Sequence, residues 1–345
     1  MAFEIIGTGR AVPSRRVTND ELAKEIDTSD EWIRSHTGIG ARHIAGEETA
    51  ASDLALLAAR EAIAMAAGLE SASDETALQE AALSIDLIVL ATATPDYLAT
   101  PSTACVVQDK LGAKRAFAMD ITAGCTGFVY GLETAVGLLS IGDDRKRALV
   151  IGAEVLTKVT DWTDRGTCVL FGDGAGAVVI EKTSAAKEGP GKRGIIRSIL
   201  KADGSGAEHL VCRRGAGRNP YKPGEVVDKP PHIEMNGQAV YNFAVKAITD
   251  TVTEILAQEG ITTEDVAYIV PHQANARIVQ AAAKRLKVPD GKVFLNIEEY
   301  ANTSAASIPI ALDELNRNGK ISRGDLVIAM GFGGGLTYGA SLIVW

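Results

Sequence analysis

The chain has 345 residues, 46% of them hydrophobic and 23% charged, with a formal net charge of −9. That length calls for more than one core or a duplicated one. The acidity argues against general nucleic-acid or membrane-surface binding, and no apolar run reaches the roughly 18–20 residues of a transmembrane helix. The start, Met1-Ala-Phe-Glu-Ile-Ile-Gly, lacks the basic region and long apolar core of a signal peptide. The four cysteines, Cys105, Cys125, Cys168 and Cys212, are too few and too scattered for a disulfide framework or a zinc site. A reducing, cytoplasmic setting is expected.

In chain order, a short strand over 4–9 ends in Gly-Thr-Gly. A short helix is predicted over 20–26, and another begins with Ser29 or Asp30 as its cap. An alanine-rich helix follows over 52–67. The continuous apolar run 86–92 reads as a parallel strand buried on both faces. Next come helix 103–111, strand 116–121, a helix directly after Cys125, strand 147–152 and strand 174–181. Gly172-Asp-Gly-Ala-Gly-Ala177 imitates a dinucleotide fingerprint, but it leads into the β-formers Val178-Val-Ile180 and not into a helix. A polar Lys/Gly/Pro-rich link over 184–192 closes this half.

The remainder repeats the order. Strand 194–201 is followed by a loop-rich stretch over 203–231 and helix 238–258. Strand 266–270, helix 274–287, strand 292–296, helix 304–318 and strands 325–330 and 337–344 complete it. An internal repeat of half the chain predicts an α/β fold of two pseudo-symmetric halves, 1–183 and 193–345, with mostly parallel sheets covered by helices in an αβαβα arrangement of five layers.

Cys125 sits in a glycine turn between strand 116–121 and a helical pattern in which Phe128, Leu132, Val136 and Leu139 recur at three- and four-residue steps. Free N–H groups and the positive end of a helix dipole favour the thiolate there. Alone, the residue reads equally as a small buried hydrophobe. The repeat supplies partners. Asn302 falls at nearly the equivalent position in the second half, and His272 follows the preceding strand of that half. All three lie beyond carboxyl ends of strands, where ligands bind in open α/β sheets. Gly331-Phe-Gly-Gly-Gly335, also after a strand, can aim backbone N–H groups at one point, as an oxyanion hole requires.

Taken together, Thr28-Ser-Asp-Glu-Trp-Ile33, Thr37-Gly-Ile39, Gly124-Cys125, Thr163-Asp-Arg-Gly-Thr167, Phe171-Gly-Asp-Gly-Ala-Gly-Ala177, His272-Gln-Ala-Asn275, Asn302-Thr-Ser304 and Phe332-Gly-Gly-Gly335 give the chain, over nearly its full length, a resemblance to 3-oxoacyl-(acyl-carrier-protein) synthase III. The resemblance implies a thiolase-like fold, a homodimer, a catalytic triad at Cys125, His272 and Asn302, and an oxyanion hole from the N–H groups of Cys125 and Gly334. The implied reaction is ping-pong. Cys125 takes an acyl group from acyl-CoA, and malonyl-acyl-carrier protein then decarboxylates and condenses with it, with no metal or organic cofactor. His272 and Asn302 are both expected to donate hydrogen bonds to the enolate oxygen.

Trp32 and Arg165 resemble the pair that sandwiches the CoA adenine, with Gly237 and Asn275 along the pantetheine arm. His36 stands where the family often carries a phosphate-binding Arg, so that contact is expected to be lost or displaced, with Arg34 close by. Arg277, Lys284 and Arg285 share one face of the helix after His272 and match the family's carrier-docking positions. Thr100, just before a proline, occupies the place from which a partner subunit closes the acyl pocket. The absence of a second cysteine near the C-terminal glycine loop, and Asn302 in place of a second His, separate the chain from thiolases and from Cys-His-His condensing enzymes. Hydroxymethylglutaryl-CoA synthases share the fold but need a catalytic Glu. The alternatives retained are a starter synthase of polyketide or quinolone synthesis and a non-catalytic carrier-binding homologue.

Overall fold

The computed structural model describes residues 1–184, 193–222, 224–227 and 231–345. The first half runs β1 (Ala2–Ala11), β2 (Arg16–Thr18), α1 (Asn19–Leu22), α2 (Asp30–Thr37), β3 (Ala41–His43), α3 (Ala51–Ala67), α4 (Glu75–Ala82), β4 (Leu87–Ala91), α5 (Thr103–Leu111), β5 (Phe117–Ile121), α6 (Gly127–Ile141), β6 (Arg147–Val155) and β7 (Asp173–Thr183). The second runs β8 (Gly194–Ala202), β9 (Leu210–Cys212), β10 (Ile233–Met235), α7 (Gly237–Glu259), β11 (Tyr268–Pro271), α8 (Ala276–Leu286), α9 (Ile297–Tyr300), α10 (Ser307–Arg317), β12 (Leu326–Gly333) and β13 (Thr337–Val344).

The two large sheets have matching orders, β1-β7-β6-β4-β5 and β8-β13-β12-β11. Both sheets are mixed and not mostly parallel as expected: β6-β4, β4-β5 and β12-β11 pair parallel, whereas β1-β7, β7-β6, β8-β13 and β13-β12 pair antiparallel, because the last strand of each half returns beside the first. α6 and α10 fill the space between the sheets, α3 and α5 cover the outer face of the first, and α7 and α8 cover the outer face of the second. The middle layer is where the halves meet. Phe128, Leu132 and Leu139 of α6 and Ile308, Leu312 and Leu315 of α10 are buried in one cluster with strands of both sheets. Each such side chain contributes roughly 1.5–3 kcal/mol of burial. Gly124–Ile141 is long and apolar enough to cross a membrane by length and composition, and half of it is buried inside the protein. A core helix wrapped by two sheets has that composition for the same reason.

Several boundaries differ from expectation. The helix expected over 20–26 ends at Leu22. Thr18 caps it with a capping box, and beyond it the bonds tighten to three-residue steps, Lys24 to Glu21 and Glu25 to Leu22. The strand expected over 292–296 is reduced to one parallel bridge between Ile269 and Val293. Ile269 donates to Lys292 and accepts from Phe294, and the next ladder donor would be residue 271. That residue is Pro271, which has no N–H. The Gln273 side chain substitutes, donating to the Phe294 carbonyl at 3.2 Å and accepting from the Asn296 N–H at 3.1 Å. The stretch 203–231 is less irregular than expected, since it holds a 3-10 turn, Gly204–His209, and β9, which pairs with β10. The link at 185–192 lies outside the described residues. The helix α4 and the short elements β2, β3 and α9 were not anticipated.

Candidate active site

β5 ends at Ile121, and the chain turns through Gly124 into a 3-10 segment, Gly124–Thr126, that runs directly into α6. Gly124 has φ +51°, a conformation L side chains rarely adopt, and a Cβ there would lie 2.8 Å from the Gly334 carbonyl oxygen. The loop between β12 and β13 therefore presses on the cysteine turn. A Cβ at Gly333 would sit 2.7 Å from Cys125 Cβ and 2.9 Å from its Sγ. Thr337 Oγ1 clamps the turn by donating to the Ala123 carbonyl at 2.8 Å. The backbone N–H groups of Cys125 and Gly334 both favour a negative sulfur.

The expectation of a helix-activated thiolate does not hold for the resting site. Cys125 is only 9% exposed, and burial pushes its thiol up to about 11. A helix N-terminus is worth about 0.3–1 kcal/mol, too little to offset that desolvation.

His272 follows β11, with its backbone N–H donating to the Met330 carbonyl at 2.7 Å. Its Nδ1 meets Ser307 Oγ at 2.7 Å, and that hydroxyl donates to the Ser304 carbonyl at 2.9 Å. The hydroxyl proton being committed, Nδ1 carries the ring hydrogen and Nε2 is left as an acceptor. Burial lowers the ring to about 3, so it is neutral. His272 is thus set to take a proton. It donates to an enolate only after gaining one or changing tautomer, which corrects the expectation of two ready donors. Asn302 is anchored across the halves, its N–H donating to Leu170 and its carbonyl accepting from Gly172. Its Oδ1 accepts from the Ser304 N–H at 2.9 Å, which turns the amide Nδ2 donor to the site.

Cys125 lies where two cavities meet. One, of about 230 Å³, is lined by Cys125, His272 and Asn302 together with Trp32, Gly237 and Asn275, and His36 also lines it. The other, of about 410 Å³, runs from Cys125 past Thr94, Leu156, Val159, Leu210 and Cys212. Cys125, His272 and Asn302, the triad the resemblance implies, therefore line one cavity, and four of the five expected CoA residues line the same cavity.

The fifth, Arg165, stacks its guanidinium over the Trp32 ring at 4.5 Å, and His36 stacks on the same ring at 4.4 Å. A base enters the Trp32–Arg165 slot only if Arg165 moves. Its ion pair with the exposed Asp27, at 3.8 Å, is a weak restraint. Asn275 caps α8 by accepting from the Arg277 N–H, and its amide donates to the His36 carbonyl at 3.0 Å. Arg34, the nearby cation, is engaged by Asp30 and Glu298 at 2.9 and 2.7 Å. Arg277, Lys284 and Arg285 are all exposed on α8. Thr100 is exposed and lines neither cavity of its own chain.

Sequence reasoning missed Glu154, Ser307 and Thr94, and it saw in Ser304 only a motif position. A signal existed for Glu154: it is the lone carboxyl inside the apolar run of β6.

Residues 119–204 match the family described as 3-oxoacyl-[acyl-carrier-protein (ACP)] synthase III, and residues 256–345 match its C-terminal part. The chain is 46% identical over 344 residues to the β-ketoacyl-[acyl-carrier-protein] synthase III of Clostridium acetobutylicum, covering 100% of this chain and 99% of that one. It is 47% identical to the enzyme of the same name from Geobacillus kaustophilus, covering 100% and 99%. Among solved structures it resembles the 3-oxoacyl-[acyl-carrier-protein] synthase III of Aquifex aeolicus, with a TM-score of 0.86 and 43% identity over 99% of this chain and 100% of that one. It also resembles the priming β-ketosynthase of the R1128 polyketide pathway, with a TM-score of 0.86 and 32% identity over 99% and 96%.

Proposed function

Because this chain belongs to the 3-oxoacyl-[acyl-carrier-protein] synthase III family, we propose a two-step cycle built on Cys125, His272 and Asn302. The activity is that of the acyltransferase that performs the initiating condensation of fatty acid synthesis. In the first step His272 Nε2 takes the Cys125 proton as sulfur attacks the acyl-CoA thioester, and it returns that proton to the departing CoA sulfur. The tetrahedral oxyanion lies against the N–H groups of Cys125 and Gly334. In the second step malonyl-acyl-carrier protein loses CO2, and the enolate oxygen accepts from Asn302 Nδ2 and from the Nε2–H of the other neutral tautomer of His272. The enolate carbon then attacks the acyl-enzyme, releasing the 3-oxoacyl-carrier protein and the Cys125 thiolate, which regains its proton from solvent. Decarboxylation supplies the drive, so no cofactor or metal is called for. The presence of the three residues in the lining of one cavity, with two N–H groups at the sulfur, supports this reading.

The channel through Trp32, His36, Arg165, Gly237 and Asn275 is read as the CoA arm's route. Residues 1–183 and 193–345 are read as the two halves that supply the nucleophile and its partners, in a cytoplasmic homodimer. Two features support a dimer. β5 is an edge strand of its sheet with Phe117 exposed, and Thr100 points into no cavity of its own chain. The 410 Å³ cavity beside Cys125 has room beyond an acetyl group, and each buried methylene is worth about 0.8 kcal/mol. Primers of more than two carbons are expected to match or exceed acetyl-CoA in kcat/KM. Thr100→Phe should shift the ratio toward acetyl by roughly tenfold, the worth of one to two methylenes. A panel of acyl-CoA primers assayed with malonyl-acyl-carrier protein measures both. Strong acetyl preference, unchanged by the substitution, would show that Thr100 does not close the pocket.

The exposed cations Arg277, Lys284 and Arg285 are read as the docking face for the acidic carrier protein. Reversing Arg277 and Lys284 to Glu should weaken condensation roughly tenfold at low salt and leave acyl-CoA turnover unchanged, with the deficit shrinking as salt screens the charges. Stopped-flow measurement of the two half-reactions across ionic strength separates the effects. Equal loss in both would refute the docking assignment.

A further inference from the structure

Glu154, near the end of β6, is 0% exposed, and among the described residues it faces hydroxyls and N–H groups, with no cation among them. Thr94 Oγ1 donates to its Oε2 at 2.6 Å and Thr92 Oγ1 at 3.3 Å, and the Ala93 N–H reaches both oxygens at 3.1 Å. The Ala305 N–H donates from the other side. Thr94 is itself fixed by the Val155 N–H at 2.9 Å. An uncompensated buried carboxylate is costly, so such a cradle is kept for a neutral acid or for a function.

The neighbouring residue on the Asn302 turn is Ser304. Its φ of +46° is a strained value for a residue with a side chain. Its N–H is pinned by Asn302 Oδ1, and its carbonyl by Ser307 Oγ. Its turn, Ser304–Ala306, packs against both β6 and the Cys125 turn, and Ser304 lines the 410 Å³ cavity with Cys125 and Thr94, so its hydroxyl acts on both the thiol and the Glu154 carboxyl. One residue thus touches the supports of all three members of the triad.

We propose that Glu154, in its carboxylic-acid form, is a positioning residue for Cys125 that acts through the Ser304 hydroxyl: the acid donates to Ser304 Oγ, which frees the Ser304 O–H to donate to the sulfur. When Glu154 ionises, the hydroxyl turns to the carboxylate. The sulfur then loses a donor and gains a negative neighbour, and both changes disfavour the thiolate that forms during catalysis. Cys125 is the titratable group facing Glu154; the other contacts, from the β4 end and the Asn302 turn, are the hydroxyls and N–H groups named above. Burial raises the carboxyl to about 7, so this reversal lies within the working pH range, and the ionised carboxylate is one of the groups that hold the thiol up. The inference rests on Cys125 being the nucleophile.

The test is the rate of acyl-enzyme formation from a short acyl-CoA between pH 5.5 and 9, with the labelled residue identified by mass. The parent rate is expected to fall by about tenfold or more as pH rises past 7, tenfold corresponding to one pH unit of change in the thiol. Glu154→Gln is a permanent neutral donor of the same shape and should show no such fall. Ser304→Ala cuts the link but leaves the carboxylate charge, and should be slower at pH 6 with a shallower fall above 7 than the parent. Parental limbs in Glu154→Gln, or in Ser304→Ala where the Gln variant does not fold, would overturn the inference while label on Cys125 upheld the nucleophile. Label elsewhere than Cys125 would overturn the nucleophile reading itself.

Discussion

Cys125→Ser is expected to abolish condensation, by a factor on the order of 10⁴–10⁶, as removal of a covalent nucleophile does elsewhere. The buried thiol already lies at about 11, and a hydroxyl in the same place ionises far less readily still. The substitution is mild structurally. Oxygen is smaller than sulfur, so the contact with Gly333, where a Cβ would come within 2.9 Å of Sγ, is relaxed and not violated. Decarboxylation of malonyl-acyl-carrier protein should persist at a reduced rate, because Asn302 and His272 remain. Quench-flow with labelled acyl-CoA and malonyl-carrier protein measures both. A Ser variant that condenses within tenfold of the parent would remove Cys125 from the mechanism.

The second large effect separates two side chains that sequence alone made equivalent. Asn302→Ala should lower decarboxylation by about 100–1,000-fold, the usual cost of one oxyanion donor, and leave acylation of Cys125 near the parent rate. His272→Ala should impair both half-reactions, each by about 100-fold or more. Its Nε2 is the acceptor for the thiol proton in the resting hydrogen-bond chain, and the other neutral tautomer is a donor afterwards. Because burial lowers His272 to about 3, the ring stays neutral above pH 5 and should contribute no limb to the pH profile there. Single-turnover acylation and malonyl decarboxylation, measured separately, decide the matter. If acylation by His272→Ala matched that by Asn302→Ala, the base role would be wrong.

What could be read in advance was local or periodic. The Ser29 cap is one residue answering its own helix. The 3.6-residue stripe of α6 and the continuous apolar run of β4 follow from the faces each element must bury. The repeat made Cys125 and Asn302 equivalent, and it put His272 at a strand end. Those inferences need only sequence spacing, because helix and strand periods convert spacing directly into direction.

Other outcomes depended on groups far apart in the chain. The expected strand at 292–296 fails because Pro271, on the neighbouring strand, offers no donor at the third rung. Arg34 is paired because Glu298 reaches it from 264 positions away. The ring hydrogen of His272 is placed by Ser307, 35 residues on.

By itself the sequence determined the order of elements, the twofold repeat and which side chains could serve as nucleophile and partners. The tertiary structure alone decided the charge state of Cys125, the tautomer of His272 and the presence of Glu154 beside the sulfur. Ionisation responds to the dielectric and the charges within a few ångströms, whatever their separation along the chain. Burial and long-range hydrogen bonds exist only once both halves have closed around the middle layer.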